Sequence, residues 1–257
     1  MASSMMQSLG RGFEYAFVKA IADIKAEHGR YYLGLLWWIC EPLLQVATLY
    51  VIFGIFLQRQ RPDFVSFLLI GIVLWKGIAA VVQHAGPTIG QHRDVLLHTG
   101  LPEWVFPTAV GISDGIKFCG LFFVLLLFLG TQGHVSHAWL YLPVLLICFF
   151  VFSAGVSLFV SSLLPLLPDL RFVIDCLLQL GFWAAGIFYA VDELPVALQG
   201  YFYWNPSACI IMAFRDVLLY GRLPDAVLLI YPFATGLSCI VCALWIMKLL
   251  RGEYVKL

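Results

Sequence analysis

Six long apolar runs dominate this chain, at about residues 33–57, 64–83, 105–130, 139–164, 172–191 and 226–250. Each approaches the roughly 20 residues that carry a helix across a ~30 Å hydrocarbon core at 1.5 Å per residue. Only 12% of the 257 residues are charged and 62% are hydrophobic, against roughly 25% charged in a soluble domain. The expected fold is therefore an all-α membrane protein of six transmembrane helices. Residues 33–257 form the transmembrane domain, and residues 1–32 form a cytoplasmic leader.

The leader has its own pattern. Phe13, Phe17, Ala20, Ile21 and Ile24 share one helical face, with Arg11, Lys19 and Lys25 opposite. Such a helix lies in the membrane interface, apolar face down. It has neither the continuous apolar core nor the cleavage site of a secretory signal. An even number of spans puts both termini on one side, and the basic residues choose it. With the termini inside, Arg11, Lys19, Lys25, Arg30, Arg93, Arg171, Lys248, Arg251 and Lys256 are cytoplasmic, against Arg59, Arg61, Arg215 and Arg222 outside. The expectation is a multi-pass protein with cytoplasmic termini.

Between the fifth and sixth runs, Tyr201, Phe202, Tyr203 and Trp204 lead into Asn205–Pro206, then into an apolar stretch carrying Arg215–Asp216. That stretch, about 207–220, would make roughly 21 Å of helix, too short to cross. A re-entrant outer hairpin is expected.

Enzymatic machinery is not legible. A phosphate-binding P-loop ends in Gly-Lys-Ser/Thr, but the six lysines precede Ala20, Ala26, Gly77, Phe118, Leu249 and Leu257. The chain therefore cannot hydrolyse ATP by that mechanism. The six histidines form no HExxH, and Cys239 and Cys242 form a mid-span CxxC without a second ligand pair. The seven cysteines read as small apolar residues. No catalytic residue, metal or bound cofactor is expected. A net charge of zero gives no reason to expect a nucleic-acid partner.

What stands out instead is a set of charges in lipid and a wealth of aromatics. Intramembrane charges are costly and mark functional paths. They are Glu41, followed at once by the helix breaker Pro42, then Lys76, Asp114, Lys117 and Asp175. Asp114 and Lys117 are neighbours on one helical face. Lys76, near the cytoplasmic end of its run, can snorkel, and Asp175 can meet Arg171. Scattered over four runs, these charges make a poor proton relay, and no convincing internal repeat supports a secondary carrier. Tyr50, Phe53 and Phe56 approach the outer end of the first run; Phe182, Trp183, Phe188 and Tyr189 crowd the outer half of the fifth. Aromatic rings can stack on the apolar faces of sugars.

The stretch RYYLGLLWWICEPLLQ (Arg30–Gln45) after a basic amphipathic leader resembles the start of type-2 ABC exporter permeases for surface polysaccharides. That family shows Leu-Gly-x-x-Trp-x-x-x-x-Pro, here Leu33, Gly34, Trp37 and Pro42. FLLIGIVLWK (Phe67–Lys76), PLLPDLRFV (Pro165–Val173) and YWNPSACIIMAFRDVLLYG (Tyr203–Gly221) resemble its second span, the turn before span five and its outer hairpin. Glu41–Pro42 resembles the capsule branch; the Phe214-Arg-Asp-Val tail is closer to the O-antigen branch. The loop VLLHTGLPEW lacks the family's lysine, and Asp169–Leu170–Arg171 reverses its Arg-Asp order.

The resemblance implies a permease subunit in the bacterial inner membrane. It implies a homodimer served by two ABC ATPase subunits, which bind the ATP and Mg. The cargo would be a lipid-linked polysaccharide: O-antigen, capsule or teichoic acid. It implies a path between two copies, lined by Tyr50, Phe53, Phe182, Trp183, Phe188 and Tyr189. Gln91, Arg93 and Asp94 would sit in the ATPase-coupling loop. Arg30, Trp37, Glu41 and Pro42 would form the entrance motif, and Trp204, Asn205, Pro206 and Arg215 the outer hairpin. The alternatives are a related permease for a small amphiphile or lipo-oligosaccharide, and an ATP-independent secondary carrier.

Overall fold

The computed structural model of the chain describes residues 2–28, 36–56, 63–99 and 101–252. Arg30, Leu33, Gly34, Arg59, Arg61 and Lys256 lie outside the described residues, as does the side chain of Trp37. The elements among the described residues are all helices, joined by turns, with no strand. Helix α1 (Ala2–His28) is followed by α2 (Leu36–Leu49), which continues as a π-helical segment over Tyr50–Phe56. Then come α3 (Phe64–Ala85), the short α4 (Thr88–Gln91) and α5 (Arg93–Thr99), and α6 (Val105–Thr131). Next are α7 (Leu142–Leu163), α8 (Leu170–Ala184), α9 (Val196–Phe202), α10 (Pro206–Leu218) and α11 (Ala226–Leu249).

Each apolar run is helical over most of its length, and four are long and apolar enough to cross a membrane: Phe64–Gln91, Val105–Thr131, His137–Leu163 and Ala226–Leu249. The remaining two are shorter. The first contains the apolar helix Cys40–Phe56. The fifth, drawn over 172–191, forms a helix of only 15 residues, about 22 Å long. It stops because the chain turns at Gly186, whose φ of 69° lies in the left-handed region that a side chain disfavours.

Helix α3 is the central post. Leu68, Ile70, Ile72 and Leu74 are fully buried, as befits a helix that is apolar all round. It packs against α2, α6, α7, α8 and α10. On α11, Val227, Ile230, Leu237, Val241 and Trp245 are exposed, an outward stripe suited to lipid. Its opposite side meets α7 where Gly155 and Gly236 cross. A Cβ on Gly155 would stand 2.1 Å from the Gly236 carbonyl oxygen, so the two backbones touch as in small-residue membrane crossings.

Helix α1 packs on α6 through its small residues. Ala16 and Ala20 are buried, with Ala16 packed beside Val105 and Ala109, while Phe13 and Phe17 are more than half exposed. Phe13 covers the Trp104 ring at 4.9 Å. Small side chains allow close helix approach and the bulky ones are left outside.

Candidate functional site

The intramembrane charges converge. Lys76 Nζ lies 2.5 Å from Glu41 Oε1, joining α3 to α2. Lys76 stands nine residues before the end of α3 and finds this carboxylate partner within the bundle. Partial exposure of both groups limits the pair to roughly 0–1 kcal/mol. On α6, Lys117 Nζ lies 3.4 Å from Asp114 Oδ1, as the i, i+3 spacing anticipated. Lys117 also pairs with Glu27 of α1, and His84 Nδ1 donates to Asp114 Oδ2 at 2.8 Å. Burial of the Asp114 carboxylate explains why it needs both partners.

These groups line one cavity of about 790 Å³ among α1, α2, α3, α6 and α8. Helix α8 contributes Asp175, Gln179 and Phe182, and α2 contributes Glu41, Pro42 and Gln45. Pro42 is buried inside α2, where its missing N–H leaves the carbonyl four residues earlier without its helical donor. The expected contact of Asp175 with Arg171 is not made as an ion pair among the described residues; both instead line a second cavity of about 350 Å³.

Five of the six aromatics singled out form a cluster. Phe188 is its hub. It stacks on Phe53 at 5.6 Å and 6° and meets Phe182 at 5.3 Å, Trp183 at 4.9 Å and Tyr189 at 6.3 Å. Phe188 itself is 4% exposed, so it holds its neighbours rather than offering a surface. Trp183 is exposed, and Tyr50 is exposed outside the cluster. Phe182 belongs to both the cluster and the cavity.

The segment of α9 and α10 meets the end of α8. Asn205 caps α10: its side-chain oxygen accepts from the Ser207 and Ala208 N–H groups, and Pro206 takes the first helical position. This is a standard helix start. The Asn205 amide also reaches the Ala184 carbonyl at 3.5 Å. Trp204 is largely exposed, and its carbonyl accepts from the Tyr231 hydroxyl at 2.8 Å.

Arg215, 4% exposed, donates to the carbonyls of Gly186 (2.7 Å), Ile187 (2.9 Å) and Phe67 (2.9 Å). Its guanidinium carbon sits 3.3 Å above the Phe67 ring. The slot exists because residue 71 is glycine: a Cβ there would lie 2.8 Å from the Arg215 Nη2. A cation at the C-terminal end of α8 also suits the helix dipole. Arg215 and its neighbour Asp216 part company, since Asp216 is held by Arg222 at 2.7–2.8 Å. Burial pushes the Asp216 carboxyl above the usual range, and the Arg222 guanidinium opposes this.

The expected loop of 84–100 contains the short helices α4 and α5. Ile89 is buried and packs with Met247, while the His92 ring stacks on Phe106 at 4.6 Å. Gln91 and Asp94 are exposed and Arg93 is half-buried. Sequence reasoning missed His84, Glu27 and the Glu41–Lys76 pair, because these partners are far apart in the chain.

A family model described as ABC-2 type transporter matches residues 23–219. The chain is 27% identical over 259 residues to an O-antigen export system permease protein, RfbA, of Klebsiella pneumoniae, covering 100% of both chains. It is 25% identical over 241 residues to the RfbA of Myxococcus xanthus, covering 91% of each. It is 22% identical over 228 residues to the polysialic acid transport protein KpsM of Escherichia coli, covering 86% of this chain and 88% of that one. The chain belongs to the ABC-2 type transporter family.

Proposed function

We propose that this chain is the membrane subunit of an ATP-driven exporter of lipid-linked polysaccharide, O-antigen or capsular, in the bacterial inner membrane. The observation that carries the reading is likeness along the whole chain to O-antigen export permeases. Six apolar helical segments support a six-span layout in which α2 with its π-helical extension and α8 complete the four longer helices. In this layout both termini are cytoplasmic, α1 lies in the interface and α9–α10 form a re-entrant outer hairpin.

Two copies enclose the path, and two separate ATPase subunits hold ATP and Mg. The lack of a P-loop sequence in this chain fits that division of labour. The α4–α5 segment, with Gln91 and Asp94 exposed and Arg93 beside them, docks the ATPase. Its packing against α11 and α7 gives the ATPase a rigid handle on the bundle. Glu41 and Pro42, with Arg30 and Trp37, form the cytoplasmic entrance. Tyr50, Phe53, Phe182 and Trp183 offer ring faces to sugars, with Phe188 and Tyr189 bracing them. Stacking holds a sliding polymer without demanding one sugar sequence.

Replacing either Trp183 or Tyr50 by alanine is expected to lower surface glycan while membrane levels of the chain stay normal. Quantitative glycan immunoblots beside membrane immunoblots check this. Unaltered surface glycan in both variants would remove the aromatic path from the account.

A further inference from the structure

We infer that the polar cavity among α1, α2, α3, α6 and α8 is a binding station for uncharged sugar residues of the transported glycan, read by Gln45, Asp175 and Gln179. The inference rests on the export reading and assigns that reading a specific site within one chain.

Three observations carry it. First, the size fits: about 790 Å³ falls within the ~300–1,000 Å³ typical of ligand pockets. Second, the lining has groups to spare. Glu41, Glu27 and Asp114 are engaged by Lys76, Lys117 and His84. Gln45, Gln83, Asp175 and Gln179 make no hydrogen bond to protein among the described residues. Gln83, Asp175 and Gln179 are exposed at the cavity wall, so their polar atoms are open to a ligand there. An amide offers both donor and acceptor and a carboxylate offers acceptors, which together match hydroxyls that donate and accept.

Third, the groups form a track. Asp175, Gln179 and Phe182 recur at i, i+4 and i+7, so they lie on one face of α8. Phe182 is the point where the cavity meets the aromatic cluster. A sugar leaving the Gln179 amide would meet the Phe182 ring about one turn further along.

Charge selects the class of ligand. Four carboxylates (Glu27, Glu41, Asp114 and Asp175) face two ammonium groups (Lys76 and Lys117) and His84. That balance disfavours a phosphate or another anionic group in the cavity. It suits neutral hydroxyl-rich rings.

The test uses Gln179→Cys in a chain whose seven native cysteines are replaced by serine or alanine. Inverted membrane vesicles expose the cytoplasmic side to a small charged methanethiosulfonate reagent. One preparation comes from cells making the glycan, the other from cells whose glycan synthesis is blocked. Without ATP, the glycan-bearing vesicles should react about tenfold more slowly, the protection given by ~90% occupancy. In the native chain, the double variant Gln45→Ala/Gln179→Ala should lower surface glycan and accumulate it inside. Cys176→Ala, exposed on α8 outside the cavity lining, should not. Equal labelling rates in the two vesicle preparations, or wild-type export by the double variant, would overturn the inference. If deleting the whole gene leaves surface glycan unaltered, the export reading itself fails. If deletion abolishes export while labelling rates are equal, only the cavity assignment fails.

Discussion

Arg215→Ala is expected to abolish export and to lower the thermal midpoint of the purified chain by about 10 °C. Arg215 ties the Gly186–Ile187 turn to α3 through three carbonyls. A hydrogen bond to a charged donor is worth about 1.5–3 kcal/mol, and an acceptor left buried without a partner costs a similar amount. The three are not additive, and a total near 4 kcal/mol is the expected scale. Function suffers beyond stability, because Phe188 follows that turn and holds Phe53, Phe182 and Trp183.

Arg215→Lys separates charge from geometry. It keeps the cation but loses the planar fork that reaches two elements at once, so less than half of the lost midpoint should return. Detergent-solubilised melting followed by size exclusion, with surface glycan measured in parallel, reads both effects. An alanine variant that exports normally and melts within a couple of degrees of wild type would refute the clamp.

Gly155→Ala is the second large effect. The new methyl would be driven to 2.1 Å from the Gly236 carbonyl oxygen. Both partners are backbone, so no side chain can swing aside, and α7 must separate from α11. A cost of about 3 kcal/mol or more follows, at or above the upper end of usual overpacking penalties. The chain is expected to lose most of its folded yield. Gly120→Ala provides the contrast: nothing lies within 4 Å of its added Cβ. In the interior of α6, alanine is favoured over glycine by up to about 1 kcal/mol. Monodisperse yield from the same membranes distinguishes the two. Equal yields for the two variants would mean that the α7–α11 crossing is not as close as described.

The positions of the apolar helices were legible in the sequence, because lipid leaves a long apolar run few alternatives to helix. The premature end of α8 was not. Residues 172–191 read as one apolar run, and the stop at Ala184 depends on the Gly186 turn and on Arg215, 29 residues beyond that glycine. Periodicity found the Asp114–Lys117 pair because i, i+3 is local. It could not find Glu27, 90 residues from Lys117, or His84, 30 residues from Asp114.

For α1, periodicity selected the face of Phe13, Phe17, Ala20, Ile21 and Ile24. Packing buries Ala20 of that face together with Ala16 and leaves Phe13 and Phe17 exposed, because backbone proximity to α6 favours small residues. The aromatic residues of the proposed path could be named from the sequence. That Phe188 is buried at the centre, and that Phe182 opens into the cavity, depends on packing between distant elements.

The most direct test of the central claim deletes the gene for this chain in a strain that makes a surface polysaccharide and follows the glycan on both sides of the inner membrane. Export by this chain predicts that surface glycan disappears, that lipid-linked glycan accumulates inside, and that the wild-type gene restores export only when its partner ATPase can hydrolyse ATP. Surface glycan at the parental level in the deletion strain, or restoration alongside an ATPase unable to hydrolyse ATP, would contradict it.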